Sequence, residues 1–592
     1  MRSTFFGLQI GKAGLTTSQF GLDVTSHNIA NAETAGYTRQ RVVQTALLPS
    51  TGFGRALPPV SQLRVGIGTG VKIHDQIRSE FLDRRFRTEN TMANYHAVRT
   101  QEMRYMESFF DSVVEETSIN FTIEKFFEAV EVLSKSPVEG APRTLLRDAG
   151  LDLVQQLNMV YQGLIDLQTM QNQAVKNETE EINRITAEIM ELNKAIYIYE
   201  ITGHFANDLR DARNLLLDEL SEIIDIEYHE IPDPTNSQNT IFEVFLGNTK
   251  SRANMLVSHD KAATLGVIQR PNVIEGEDPV YIPVWFTDVT ADYIEQPINF
   301  NIVSGGKLMA YVDMRDGTGP ETPEWMTGVQ GLGINKVKGI PHYIEMLNNL
   351  ARALVQEVNG VHSKGWTDHP NGSETGINFF HIGFLENLDT GSRIKLNADG
   401  KWEDEEGELY PLINLHNAGT FPDGFTLNTN ILQITAKSMR LSIEVEDSAQ
   451  NIAASSTWID RGGVTEALQR GNNENMRALY RLFSEAKDIT LTLNYGGHQF
   501  RHINIGSFDG YATSIRHDVA STTYLSINAA RNGATLITSM SNQRLSIGGV
   551  SLDEEMVSLI RYQHAYSGAA RVITAMDDAL DRLINGTGRV GL

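Results

Sequence analysis

Residues 5–40 read FFGLQIGKAGLTTSQFGLDVTSHNIANAETAGYTRQ, and the first part of this stretch carries its apolar side chains in two adjacent rows. One row is Leu8, Leu15, Leu22 and Ile29, repeating every seven positions; the other is Phe6, Ile10, Ala13, Phe20 and Val24. Rows offset by three and four residues make one broad helical face, wide enough for more than one neighbour. After Asn31 the periodicity stops. Thr34-Ala35-Gly36-Tyr37 predicts a turn in which Gly36 takes a positive φ. Arg39, Gln40 and Arg41 follow, then Val42-Val43 and a Pro/Gly-rich stretch over 49–70.

The other end of the chain repeats the pattern. Ser551-Leu552-Asp553-Glu554 has the form of a capping box, a hydroxyl N-cap with a carboxylate three residues on. Leu552, Met556, Leu559, Tyr566, Ala570, Ile573, Leu580 and Ile584 then fall on one 4–3 register, with Gln563 and Asp577 in its polar gaps. Asn585-Gly586 closes the helix. Neither terminal segment has enough sequence beside it to build a domain, and a lone helix is marginal in water. Each needs a partner. The two ends either pair within one chain, as termini often lie close together, or order only on assembly with other copies.

Between the ends the pattern is helix, then strand, then helix. Helix dominates from about 76 to 226. Its clearest part runs Val154, Leu157, Tyr161, Leu164, Val175, Ile182, Ile185, Ile189, Leu192, Ile196 and Tyr199, a long coiled-coil-like helix interrupted by Gln168, Gln171 and Glu178. Gly203 ends it, and 209–226 forms a shorter partner helix. Prolines and short apolar runs such as Ile241-Phe242-Glu243-Val244-Phe245-Leu246 mark a β-rich insert after it. Helix returns at about 341–363, strand-like sequence at 366–435, and helix again at 508–546. The expected fold class is α+β and multidomain, with helical terminal and core domains and β-rich inserted outer modules. The expected division is 1–36 (N-terminal axial helix, pairing with 548–592), 37–227 (helical core, first part), 228–303 (β-rich insert), 304–365 (return to the core), 366–435 (β-rich outer insert), 436–547 (core, last part) and 548–592 (C-terminal axial helix).

Composition narrows the function. The chain has 592 residues, 41% of them hydrophobic and 21% charged, as in ordinary globular proteins. Its net charge of −24 makes nucleic acid a poor partner, because phosphate binding relies on Lys and Arg. No apolar run approaches the roughly 18 residues of a membrane span, and Gln9, Lys12 and Thr16 interrupt any signal-peptide core. Cysteine is absent, which removes disulfides, thiolate nucleophiles and Cys-ligated zinc.

No catalytic pattern holds along the sequence. His229-Glu230 begins like a zinc-protease helix, but Ile231-Pro232-Asp233 lacks the second histidine and breaks the helix. Gly66-Ile67-Gly68-Thr69-Gly70 lacks the Lys-Ser/Thr ending of a phosphate loop and reads as a hairpin or loop. Asn397-Ala398-Asp399-Gly400, beside the acidic run Glu403-Asp404-Glu405-Glu406, lacks the spacing of a helix-loop-helix calcium site. His342, His362 and His369 have no ligand-like spacing. No catalytic, cofactor-binding or metal-ligating residue is assigned, and no cofactor.

Asn28-Ile29-Ala30-Asn31-Ala32-Glu33-Thr34-Ala35-Gly36-Tyr37-Thr38-Arg39-Gln40 resembles the N-terminal signature of flagellar rod, hook and hook-associated proteins, with His27 in place of the usual first Asn and Ala35 in place of the usual Pro. Further stretches are similar to the hook-associated protein 1 branch: Phe126-Phe127 with Pro137 and Arg143; Leu192-Asn193-Lys194; Asn207-Asp208-Leu209 with Leu217-Asp218-Glu219-Leu220; Gly305-Gly306-Lys307-Leu308; Glu357-Val358-Asn359-Gly360-Val361-His362; and Gly549 through Met556 with Tyr562-Gln563-His564-Ala565-Tyr566. Arg210 and Asn214 depart from the usual Leu and Asp.

The resemblance implies a non-enzymatic structural subunit, exported through the flagellar type III apparatus without a cleaved signal peptide. It would sit outside the cell in a ring at the distal hook and form the base for the filament. The implied partners are further copies of itself, the hook protein, a second hook-associated junction protein and an export chaperone, with no nucleic acid and no membrane. The expected assembly interface is Leu8, Leu15, Leu22, Asn28, Ile29, Asn31, Thr34, Gly36 and Tyr37 at one end. At the other it is Leu552, Met556, Leu559, Tyr566, Ile573, Leu580 and Ile584. The alternatives are another axial protein such as the hook subunit, or a secreted wall hydrolase with catalysis in an insert.

Overall fold

A computed structural model describes residues 6–47, 68–110, 118–203, 205–234, 236, 239–247, 251–274, 276–287, 293–320, 335–368, 373–381, 384–387, 393–396, 402–403, 409–410, 425–428, 434–459, 469–484, 489–495 and 498–586. The Asn397–Gly400 stretch, Asp404–Glu406, Gly66-Ile67 and His369 lie outside the described residues.

The chain opens with α1 (Phe6–Ala30) and an antiparallel ribbon of β1 (Gln40–Leu47) and β2 (Gly68–Gln76), in which Gln40 pairs with Gln76 and Leu47 with Gly68. The helices α2 (Glu80–Phe110), α3 (Ile119–Lys135), α4 (Gly140–Ile201) and α5 (Asn207–Ile223) follow. Two small antiparallel sheets come next. One has the order β3 (Ile226–Pro232), β4 (Thr240–Leu246), β5 (Met255–Ser258), β6 (Lys261–Ala262). The other has β7 (Thr264–Arg270), β8 (Val280–Thr287) and β9 (Tyr293–Pro297). After α6 (Lys307–Asp316) and α7 (Ile340–His362), β10 (Phe384–Asn387), β11 (Arg393–Leu396), β12 (Trp402–Glu403), β13 (Leu409–Tyr410) and β14 (Phe425–Asn428) form a sheet of order β13-β12-β11-β10-β14. The chain ends with α8 (Ile443–Asp447), α9 (Glu474–Ser484), the pair β15 (Ile489–Tyr495) and β16 (His498–Gly506), α10 (Phe508–Gly548) and α11 (Leu552–Gly586). The architecture is α+β, with antiparallel sheets inserted into a helical frame.

The spine of the molecule is α4, 62 residues long, about 93 Å at 1.5 Å per residue. It starts earlier than the sequence periodicity predicts, at Gly140 rather than Val154, because its first turns bury Pro142, Arg143, Leu146 and Leu153 instead of displaying a heptad. It ends where Gly203 adopts φ +83°. Its two halves serve different cores. Leu153, Leu157, Tyr161 and Leu164 pack with Met103, Ile123, Phe126, Phe127, Leu347, Leu354, Phe379 and Phe508 in a helical core. Val175, Ile182, Ile185 and Ile189 pack with Leu217, Leu220, Val244, Leu256 and Trp285, so the second half lies under α5 and the first sheets. One amphipathic helix thus joins a mainly helical core to a sheet-covered one. The polar Gln168 and Gln171 fit because both are tied: Gln168 Nε2 donates to Arg315 O at 2.9 Å, and Gln171 Nε2 to Glu102 Oε2 at 2.5 Å.

Buried polar side chains cross between elements of the helical core. His362 is fully buried; its Nε2 accepts from the Ala453 N–H at 2.9 Å, so the proton sits on Nδ1 and is donated to Ile377 O at 2.8 Å. Burial pushes its pKa down to about 4. Arg143 donates to Pro137 O and to Ile452 O. Asn359 donates to Phe380 O and accepts from the Phe379 and Phe380 N–H groups. These bonds satisfy groups whose burial unpaired would cost about 1–3 kcal/mol each. His229 lies in strand β3, paired with Glu243, so the strand geometry matches the absence of a zinc-protease helix there. Among the described residues no group of three or more His, Asp or Glu side chains is placed to hold a metal ion. Among them, too, no helix is long and apolar enough to cross a membrane.

Candidate functional site: the terminal helix pair and its joint

The two terminal helices lie against each other and run antiparallel. A side chain added at Gly7 would meet Met576, at Gly11 Ile573, at Gly14 Ala569 and at Gly21 Tyr562. Those four glycines continue through Ser18, Thr25 and Asn28 in an unbroken 4–3 rhythm. This row of small residues is the contact face of α1: Gly11, Ser18, Gly21, Thr25 and Asn28 are buried. Helix separation depends on the side chains at the contact, and small ones allow close approach. A Cβ at Gly21 would stand 2.6 Å from the Tyr562 ring.

The large apolar residues of the expected assembly rows border this contact face. Leu8, Leu15, Leu22 and Ile29 are half-buried, flanking the glycine row. On α11 the expected Leu559, Tyr566, Ile573 and Leu580 are half-buried, Ile573 facing α1 at Gly11. Leu552, Met556 and Ile584 are exposed, as are Val557 and Ile560. The pair therefore buries one face of α11 and leaves apolar side chains outward on the other. The Ser551 hydroxyl caps α11, accepting from the Glu554 N–H at 3.5 Å. The spacing of glycines at 7, 11, 14 and 21 was the signal for the contact face, and a reading that counts only large apolar residues passes over it.

At the end of α1 the chain makes a dense polar joint. Asn28 is buried and all its hydrogen-bonding capacity is used. Its Nδ2 donates to Gln40 O at 2.9 Å and to Glu555 Oε2 at 3.1 Å; its Oδ1 accepts from Tyr37 OH at 2.7 Å and from the Gln40 N–H at 3.0 Å. Because Tyr37 OH donates to Asn28, the 3.0 Å contact with His27 Nδ1 makes that nitrogen the donor. Burial pushes the Tyr37 hydroxyl pKa up, with Asp208, Asp211 and Glu555 adding to the shift. Asn31 Nδ2 donates to His27 O, and Thr34 Oγ1 to Asn31 Oδ1. Gly36 takes φ +77°, as the turn requires.

The joint clamps four other elements. Arg39 binds Glu555 at 2.7 Å and Glu554 at 2.6 Å on the first turn of α11, and its N–H donates to Gly548 O at the end of α10. Thr38 N–H donates to Asp211 Oδ2 at 2.9 Å, and Gln40 Nε2 to Asp208 Oδ1 at 2.7 Å, both on α5. Arg78 pairs with Asp83, while Arg544 of α10 bridges Asp83 and Asp218. Burial raises the Asp211 carboxyl to about 6, against the pull of the Thr38 hydrogen bonds and of Arg78. Asp211 and Arg544 were not singled out by the sequence reading, and Gln40, Asp208 and Glu555 entered it only inside the family-like stretches: each is an ordinary polar residue whose partner lies far along the chain.

The chain as a whole has known relatives. The family model described as the flagellar hook-associated protein FlgK helical domain matches residues 103–380, and that of the flagellar basal body rod FlgEFG protein C-terminal region matches 541–586. Flagellar hook-associated protein 1 of Bacillus subtilis (strain 168) is 24% identical over 99% of this chain and 99% of its own length. Along nearly its whole length the chain is similar to the flagellar hook-associated protein 1 family. Flagellar hook-associated protein 1 of Escherichia coli (strain K12) is also 24% identical, over 97% of this chain and 98% of the relative. The flagellar hook junction protein FlgK from Burkholderia pseudomallei shares the fold, with a TM-score of 0.53 at 13% identity, covering 78% of this chain and 100% of that one.

The residues that resemble the hook-associated protein 1 family act in the structure as pins between elements. Phe126 and Phe127 are fully buried in the helical core. Asn193 donates to His259 O and accepts from Arg213. Asn207 O receives Gln76 Nε2. Gly306 (φ +95°) abuts Ile223 O so closely that a Cβ there would stand 2.3 Å away. The two departures are accommodated: Arg210 forms a two-pronged pair with Glu200 and reaches Glu230, and Asn214 accepts from Arg87.

Proposed function

We infer that this chain is a structural subunit of the bacterial flagellum that forms the hook–filament junction, assembling through its terminal helices at the distal hook and providing the base on which the filament grows. The observation that carries this is the one-sided packing of α11. Its inner face closes on α1, while Leu552, Met556 and Val557 stand at least half exposed on its first turns, away from α1. An exposed apolar cluster of this kind marks an interaction surface, and the likeness to flagellar proteins indicates a flagellar one.

In this reading the partners are further copies of the chain, the hook protein and a second hook-associated protein, with an export chaperone holding the chain before assembly. The protein works outside the cell, reaches it without a cleaved signal peptide, and has no enzymatic role. The expected site residues divide by task. Leu8, Leu15, Leu22, Ile29, Leu559, Tyr566, Ile573 and Leu580 flank the α1–α11 seam, and Leu552, Met556 and Ile584 face neighbours. Asn28, Asn31, Thr34, Gly36 and Tyr37 set the angle between axial pair and body. The division into axial helices 1–36 and 548–592, core 37–227, 304–365 and 436–547, and inserts 228–303 and 366–435 follows the same logic.

The test is complementation of a strain lacking this gene, with flagella viewed by electron microscopy. The full chain restores filaments, whereas a chain ending at residue 551 leaves hooks of normal shape without them. Normal filaments on hooks made with the truncated chain overturn the reading.

A further inference from the structure

The joint between the terminal pair and the body holds more carboxylates than guanidiniums. Arg39, Arg78, Arg87 and Arg544 face Asp83, Asp208, Asp211, Asp218, Glu554 and Glu555. Arg39 holds both glutamates of α11, Arg544 holds Asp83 and Asp218, and Arg87 adds to Asp218. Arg78 is divided between Asp83 and Asp211, and it reaches Asp211 only at 3.5 Å. Among the described residues the ionic partner of Asp208 is His27. The shortage of positive charge therefore falls on α5, where Asp208 and Asp211 stand one turn apart. These two carboxylates hold the linker that leaves α1: Gln40 Nε2 donates to Asp208 Oδ1 at 2.7 Å, and the Thr38 N–H to Asp211 Oδ2 at 2.9 Å.

The geometry calls for a proton at each. Tyr37 OH donates to Asn28, so His27 turns a protonated Nδ1 towards Tyr37. In a neutral ring Nε2 then carries a lone pair, and it faces Asp208 Oδ2 at 3.6 Å. That contact is repulsive until the ring becomes an imidazolium. Asp211 is 6% exposed. Burial raises its carboxyl to about 6, Asp208 pushes the same way, and the Thr38 hydrogen bonds and Arg78 pull against it. The Tyr37 hydroxyl registers the same field: burial raises its pKa most, and Asp208, Asp211 and Glu555 raise it further.

We propose that the contact between the α1–β1 linker and the start of α5 is a proton-operated latch, closed when His27 and Asp211 are protonated and loosened when they are not. Arg39 ties the linker to α11, so what gives way is the hold on α5, and the terminal pair swings against the body as a unit. The sign follows from Asp211. Its contribution is complete below about pH 4, the ordinary range of an unfolded aspartate, and is lost as pH rises through 6. The Asp208 side chain is 64% exposed, so its pair with His27 carries the smaller share. The latch is a property of the single chain and stands or falls independently of what the subunit joins.

Hydrogen exchange of the full chain between pH 5.5 and 7.5, corrected for the intrinsic pH dependence of exchange, reads the opening of residues 37–41, with α3 as the reference for the body. A carboxyl at about 6 in the closed latch and about 3.9 in the open one makes opening rise about fourfold over that span, while α3 stays level. Asp211→Asn keeps a carbonyl acceptor for Thr38 without the charge, and should show less than half of the parental rise. His27→Gln should raise opening at pH 5.5 and leave it near the parental value at pH 7.5. No rise in the parent overturns the latch, and so does a full parental rise in Asp211→Asn. A rise in α3 equal to that in 37–41 also overturns it, since the change would then belong to the whole body. The parental slope needs no variant, so the test holds even where a substitution weakens the fold.

Discussion

The helical body and the terminal pair solve the same problem in opposite ways. In the body, large side chains face inward. Phe127 stacks on Phe483 at 4.9 Å and on Phe508 at 5.8 Å, Phe126 meets Phe379 edge-on at 5.4 Å, and the buried polar groups of His362 and Asn359 are bonded on both sides. In the terminal pair the buried residues of α1 are mostly small, Gly11, Thr17, Ser18, Gly21 and Thr25, with Val24 beside them, and the other large side chains lie at the margins or outside. The body is finished as a folded unit. The pair is in contact but unfinished, and its outward apolar row has a physical role only once something covers it.

If the two regions are separate in this sense, damage to one should not spread to the other. Phe127→Ala removes a fully buried ring and is expected to cost about 3–5 kcal/mol, read from urea unfolding of the body by intrinsic fluorescence. Hydrogen exchange should show α1 keeping the protection it has in the parent. Joint loss of protection in α1 and the body would make them one cooperative unit and break the comparison.

Acid separates the regions by sign. His362 in the body has its folded pKa lowered, by burial, to about 4, against about 6.5 in the unfolded chain. Its contribution is fully present above pH 6.5 and is lost as pH falls towards 4, by about 3 kcal/mol in all at 1.36 kcal/mol per unit. Asp211 in the joint is raised to about 6, so the fold binds its proton more tightly than the unfolded chain does, and acidification over the same range favours the folded joint. The measurement is stability against pH for the parent and His362→Gln. The variant should lose part of the acid slope between pH 6.5 and 4, and identical slopes would show that His362 is not the group responsible.

How far the sequence could be read differs between the regions for a physical reason. Helix existence, the α+β class and the ends at Gly203 and Ser551 depend on local patterns, and local patterns are what a sequence displays. The turn at Gly36 was legible on the same ground. The face of α1 that meets α11 is not marked by large apolar residues, because the contact depends on their absence at 7, 11, 14 and 21. The joint was half legible. Asn28 and Tyr37 came from the family resemblance, but Asp208, Asp211, Arg544 and Glu555 sit between about 170 and 530 positions away from it, and such partners leave no mark in a local pattern. The start of α4 was misplaced for a related reason: Arg143 is buried at 2% exposure only because Pro137 and Ile452 offer carbonyls to it.

A smaller effect tests the link between the regions. Asn28→Ala leaves the Gln40 N–H and C=O and the Tyr37 hydroxyl without their partner in a buried site, at a cost of about 1–3 kcal/mol. Limited proteolysis should then cleave near Arg39 and Arg41 faster than in the parent, while urea unfolding of the body is unchanged. Equal cleavage rates would mean that the joint stands on Arg39, Thr38 and Gln40 alone.

The smallest effect on stability is the most telling. Met556 is 51% exposed, so Met556→Ser should change the unfolding free energy of the purified monomer by less than about 0.5 kcal/mol, as surface substitutions generally do. A residue that contributes only to its own chain's fold would then be silent in the cell as well. If the outer row of α11 is instead the face that neighbours cover, each copy repeats the defect at every contact, and small losses accumulate around the assembly. The expected outcome is a monomer of parental stability in a strain whose swimming is reduced and whose hooks carry fewer filaments. Full motility with a parental melting curve would show that the exposed row is incidental, and the contrast between a finished body and an unfinished pair would lose its functional meaning.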